Sequence, residues 1–120
     1  MLEWSSCLFG TVVVHAYQRR CTVYHHSFLL LTVTSILFHC QHHCVVRVVD
    51  KALAHLVFAL VILDTPKALE KHAPWLLTFP LMAGCAWFAQ SFWPERSDFL
   101  HLALHLIGVF GMHVYLWFLY

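Results

Sequence analysis

Charge is scarce in this sequence. Asp, Glu, Lys and Arg make up 11% of its 120 residues, where a soluble domain carries roughly a quarter. The run from Phe99 to Tyr120 contains none of the four. That shortage excludes an ordinary water-soluble globular domain. The net charge is +1, so there is no basic stripe to hold nucleic acid. The five cysteines, Cys7, Cys21, Cys40, Cys44 and Cys85, form no CxxC pair and follow no secreted-scaffold spacing, so a disulfide framework is not expected. The first residues lack the basic segment and small-residue cleavage site of a signal peptide. Internal repeats and low-complexity linkers are also missing.

What remains is apolar. Hydrophobic residues make up 61% of the chain, and its mean hydropathy is +0.71. An integral membrane protein follows. The expected architecture is all-α: a polytopic transmembrane helix bundle of four to five spans, forming a single domain over residues 1–120. The spans are expected at 5–17, 22–40, 48–63, 73–93 and 98–120. The first is short against the ~20 residues that cross a bilayer and is expected to tilt or to cross in part.

Punctuation between the spans is clear. Gln18-Arg19-Arg20 closes the first. Val45 to Asp50 is expected as a brief connection carrying Arg47, and Asp64-Thr65-Pro66-Lys67 as a turn, because Pro does not continue a helix. Lys67, Glu70 and Lys71 are expected in a polar, solvated loop together with Asp64. Pro80 and Gly84 are candidate kink points, and Ser97 or Asp98 a candidate cap for the last helix. Trp75, Trp87 and Trp93 suit interfacial belts. Arg19, Arg20, Lys67 and Lys71 fall on one side, against Arg47, Lys51 and Arg96 on the other. This small excess of positive charge places the N-terminus outside and the C-terminus in the cytoplasm.

Eleven histidines stand out in so apolar a chain, since each needs a partner or a wet cavity. His101 and His105 are four residues apart, so a helix presents both on one face. Ser35 and His39 share a face of the second span in the same way. With five alternating spans, the end of the second, the head of the third at Asp50 and the head of the fifth meet on one side of the membrane. Three neutral imidazoles, His39, His101 and His105, would bind Zn²⁺ and leave a fourth position for water. The metal would lower that water's pKa toward 7. Asp50 could take or orient the proton, and Ser35 could donate to an oxyanion.

These residues resemble the CREST superfamily of membrane hydrolases and receptors, which includes alkaline ceramidases, progestin and adipoQ receptors, and myomaker-like proteins. Its signature is Ser-x-x-x-His on one helix, Asp at the head of the next and His-x-x-x-His on the last. Here these read SILFH (Ser35 to His39), Asp50 and HLALH (His101 to His105). Ala16 to Cys40 and the DTPK turn resemble the myomaker branch. The resemblance implies zinc held by His39, His101 and His105, Ser35 and Asp50 beside it, and hydrolysis of a lipid amide or ester. It also implies a secretory-pathway or plasma-membrane location in a eukaryote. The family has seven helices; five fit here, so a reduced version of that fold is expected. Losing a pair preserves the side on which the last helix starts.

Blander readings stand beside these. His101 and His105 could pack or hydrogen-bond across helices. Ser35 could bond back to its own helix, and Asp50 could be an interfacial helix-start charge. The cluster HCQHHC, His39 to Cys44, could be a local metal site, but an interfacial cap is preferred for all but His39. His15, His25, His26, His55, His72 and His113 read as interfacial or packing residues. Two other function classes remain open. One is a non-catalytic membrane protein, receptor-like, fusion-related or truncated, with a structural or vestigial zinc site. The other is a b-type haem protein with axial histidines from two helices. Membrane lipids are the expected partners, and two copies could pool helices as a homo-oligomer.

Overall fold

Apolar runs bounded by charged or turn-forming residues become helices throughout the computed structural model. It describes residues 2–41 and 44–120, without the side chains of residues 2–4, 39–41, 44, 46 and 47. Among the described residues seven α-helices follow in order: α1 Leu2–Cys7, α2 Phe9–Gln18, α3 Thr22–Gln41, α4 Cys44–Leu63, α5 Thr65–Glu70, α6 Thr78–Phe92 and α7 Ser97–Leu119. Short 3₁₀ turns at Pro74–Leu77 and Pro94–Arg96 lead into α6 and α7. The chain is all-α, with no strand among the described residues.

Two connections use the same device. After α2, Arg20 adopts the left-handed conformation (φ 57°); its N–H donates to the Tyr17 carbonyl and that of Cys21 to the Ala16 carbonyl. After α5, His72 does the same (φ 54°), with the His72 and Ala73 amides donating to Leu69 and Ala68. These are Schellman closures, which satisfy the last carbonyls of a helix. Cys21 against Ala16, and Ala73 against Ala68, are the buried pairs that accompany them. Burial of those small apolar residues holds two non-glycine residues in a conformation that costs ~1–2 kcal/mol each.

Several boundaries differ from expectation. Val45 to Asp50 is not a connection but the first turns of α4; its valines continue the apolar pattern, and Arg47 is too isolated to stop it. The expected turn at Asp64 re-enters a helix at once, with Pro66 in the first turn of α5, where a missing N–H costs nothing. Lys67 and Glu70 therefore sit on a short helix. Pro80 likewise falls in the first turn of α6, and α6 runs unbroken past Gly84. Neither Ser97 nor Asp98 caps α7; Arg96 occupies that position, with no side-chain cap.

The helices form a ring. α1 and α2 pack on α3 and α7, α4 on α3, and α6 on α7, with α4 and α6 meeting more loosely. Hydrogen bonds fix the alternation of directions. At one end Tyr24 Oη, near the start of α3, donates to Asp64 Oδ2 at the end of α4 (2.5 Å), and Tyr120 Oη donates to the same oxygen (2.8 Å). Lys71 Nζ reaches the Phe118 and Leu119 carbonyls, both at 3.4 Å. Asp64 is thus a structural acceptor joining three segments rather than a solvated loop charge. The ends of α3 and α6 and the heads of α4 and α7 lie at the opposite pole.

Two glycines behave oppositely. A Cβ on Gly111 would stand 2.8 Å from Phe79 Cβ of α6, whereas one on Gly10 would meet nothing within 4 Å. Gly111→Ala is expected to lower the thermal midpoint in detergent, because the forced shift of ~1–3 kcal/mol outweighs the ~0.5–1 kcal/mol gained in helix propensity. Gly10→Ala is expected to raise it. Equal midpoints for the two variants would contradict the close α6–α7 approach.

Candidate functional site

The polar end of the ring gathers side chains that an apolar interior would otherwise exclude. Among the described residues, six polar or charged side chains are buried: Ser5, Ser6, Ser27, Ser35, Asp50 and His105. Ser27 bonds back to its own helix at the Val23 carbonyl. The other five converge from α1, α3, α4 and α7. α3 carries Ser35 inward, and its hydroxyl is 2.8 Å from that of Ser6. Asp50, 8% exposed, accepts a hydrogen bond from Thr34 Oγ1 at 3.2 Å. His105, 5% exposed, has Nδ1 2.8 Å from Ser5 Oγ. His101 stands one turn away on α7, its ring edge-on to that of His105 at 4.5 Å between centroids.

Ser35, Asp50, His101 and His105 line one cavity of about 350 Å³, within the usual size of a small-molecule site. Away from this polar head it continues as an apolar shaft past Phe28, Leu31, Val57, Phe79, Gly108 and Met112. Lys51, His55 and Trp87 also line it and are exposed, so the cavity reaches the surface where α4 and α6 meet loosely. There the His55 and Trp87 rings stand edge to face at 5.4 Å.

The structure therefore brings together four of the five residues expected from the sequence. The fifth, His39, belongs to α3 one turn after Ser35, and its side chain lies outside the described residues, as does most of the HCQHHC cluster. Among the described residues no group of three His, Cys, Asp or Glu is placed to hold a metal; His101 and His105 supply two. Their chemistry suits zinc. In the tautomer whose Nδ1 carries the proton to Ser5 Oγ, His105 presents the Nε2 lone pair that a metal takes, and both residues line the cavity.

Most other histidines are engaged elsewhere. His25, His26 and His55 each place Nδ1 on a backbone carbonyl, of Val13, Thr22 and Lys51. His15 and His113 stack at 5.0 Å with their Nδ1 atoms 2.8 Å apart. Rings in direct contact leave no gap for a porphyrin between them. Residues that sequence reasoning passed over are Ser5, Ser6 and Thr34, and also Gln90 and Tyr115, whose Nε2 and Oη are buried without a hydrogen-bond partner among the described residues. The adjacent serines near the start of the apolar first span were the available signal. No protein-family model, curated protein or solved structure matches the chain.

Proposed function

We propose that this chain is a multi-pass membrane protein with a zinc site formed by His39, His101 and His105, and that it hydrolyses an amide or ester bond of a lipid. The observation that carries the reading is the shared cavity: Ser35, Asp50, His101 and His105 cluster at its polar head, with an apolar shaft leading away. That shape suits a molecule with a polar linkage and a hydrocarbon chain.

Membrane insertion rests on length and exposure. The segment Pro94–Leu119 has 26 helical residues with a hydropathy of 1.8, and 33% of its apolar window is buried; a soluble protein's core helix would be mostly covered. α3 and α4 have 20 residues each, or ~30 Å, the thickness of a hydrocarbon core. Large apolar side chains such as Leu63, Leu81, Phe110 and Trp117 are more than half exposed, a surface that suits lipid rather than water.

In this reading each residue has a task. His39, His101 and His105 would hold the zinc, which would supply Lewis acidity at the scissile carbonyl. Asp50, its Oδ1 held by Thr34, accepts a proton from the attacking water. The Ser35 hydroxyl donates to the oxygen on which negative charge develops. The shaft takes the hydrocarbon chain and excludes water from the linkage. Water adds across the acyl bond, releasing a carboxylic acid and an amine or alcohol.

The test is fatty-acid release from a ceramide and from phosphatidylcholine in mixed micelles. Release from one of them, abolished by a chelator and restored by added zinc, is expected. Protein that holds zinc yet releases no acid from either lipid would leave the same histidines as a structural site and end the hydrolase reading.

A further inference from the structure

The short helix α1 reaches the site from outside the expected five-residue set. We propose that Ser5 is a positioning residue for the zinc ligand His105, and that Ser6 performs the parallel task for Ser35. The inference rests on the zinc reading above and extends it to a helix that reading does not use.

Consecutive residues on a helix point about 100° apart, so neighbouring serines on α1 can serve two different helices. They do: Ser5 Oγ lies 2.8 Å from His105 Nδ1 on α7, and Ser6 Oγ 2.8 Å from Ser35 Oγ on α3. Both serines are fully buried, at 0% exposure. A hydroxyl taken out of water needs partners, and each serine has one of them in the site. In the tautomer that zinc binding selects, His105 Nδ1 donates its proton to Ser5 Oγ and the lone pair sits on Nε2; the ring also stands against Phe9, 5.0 Å away between centroids. A ligand histidine whose second nitrogen is fixed in this way binds metal more tightly than a free ring. Ser6 restrains the Ser35 hydroxyl similarly.

Interhelical serine bonds also hold membrane bundles together without any site, and the two roles separate experimentally. Zinc affinity is measured by chelator competition on the detergent-purified full chain, for wild type, Ser5→Ala, Ser5→Thr and Ser27→Ala. Ser27 is a buried serine bonded to its own helix. Ser5→Ala is expected to weaken zinc binding ~10- to 100-fold and to shift the visible bands of the cobalt-substituted protein. Ser5→Thr, which keeps the hydroxyl, should stay within a few-fold of wild type, and Ser27→Ala should match it. Wild-type affinity and an unchanged cobalt spectrum in Ser5→Ala would overturn the inference while leaving the zinc site standing. If Ser5→Ala does not fold, weaker zinc binding in Ser5→Thr than in Ser27→Ala would overturn it too, and affinity matching Ser27→Ala would support it. A wild-type chain that binds no zinc would overturn both.

Discussion

Asp50→Asn is expected to lower turnover of the hydrolysed lipid by ~10²- to 10⁴-fold while zinc stays bound. The substitution is close to isosteric. The Asn amide oxygen can still accept the Thr34 hydroxyl that Asp50 Oδ1 accepts at 3.2 Å, so the α3–α4 contact survives. What disappears is a carboxylate able to take a proton, in a position 8% exposed. The stability effect should run the other way. An ionised side chain held from water costs free energy, so the Asn variant should unfold at the same temperature as wild type or higher. Lost turnover, retained zinc and undiminished stability form a pattern that a purely structural Asp50 would not produce. Asp50→Asn with wild-type turnover would remove Asp50 from the chemistry.

His105→Ala carries the second large effect. Its ring touches Ser5, Phe9 and His101, so its removal should act on metal and fold together. Zinc content should fall to background. The metal-free bundle should also lose stability, because the buried Ser5–His105 hydrogen bond is lost and a cavity opens where the ring stood against Phe9. His101→Ala should lose the zinc just as completely. A His105→Ala protein that keeps its zinc would mean that the ligand set had been misassigned; one that loses zinc at no cost in stability would argue against the Ser5 contact.

How much of this was readable from the sequence depends on the range of the contact. Ser35 with His39, and His101 with His105, are neighbours by helical spacing alone, and the alternation of apolar runs was enough to send Asp50 to the same pole. α3 was readable because its apolar run is bounded by Arg19-Arg20 and a polar cluster; the start of α4 was not, because Arg47 interrupts an apolar run without ending the helix. Pro66 looked like a break and Pro80 like a kink, but proline disturbs a helix only past its first turn, and where that turn falls is decided by the packed bundle. Ser5 and His105 are a hundred residues apart in the chain, and Tyr24 and Asp64 forty. Such pairs depend on which helices are neighbours in the ring, and no local pattern encodes that order. Asp64 therefore read as a loop charge, and Ser5 and Ser6 passed as small residues in a greasy helix.

The central claim is that three histidines from two helices hold one zinc at the head of this cavity. Elemental analysis of detergent-purified protein tests it most directly, with wild type beside His101→Ala/His105→Ala and beside His39→Ala. The account predicts about one zinc per chain in wild type and none above background in either variant. A wild type without zinc, or variants that keep a full complement, would contradict it.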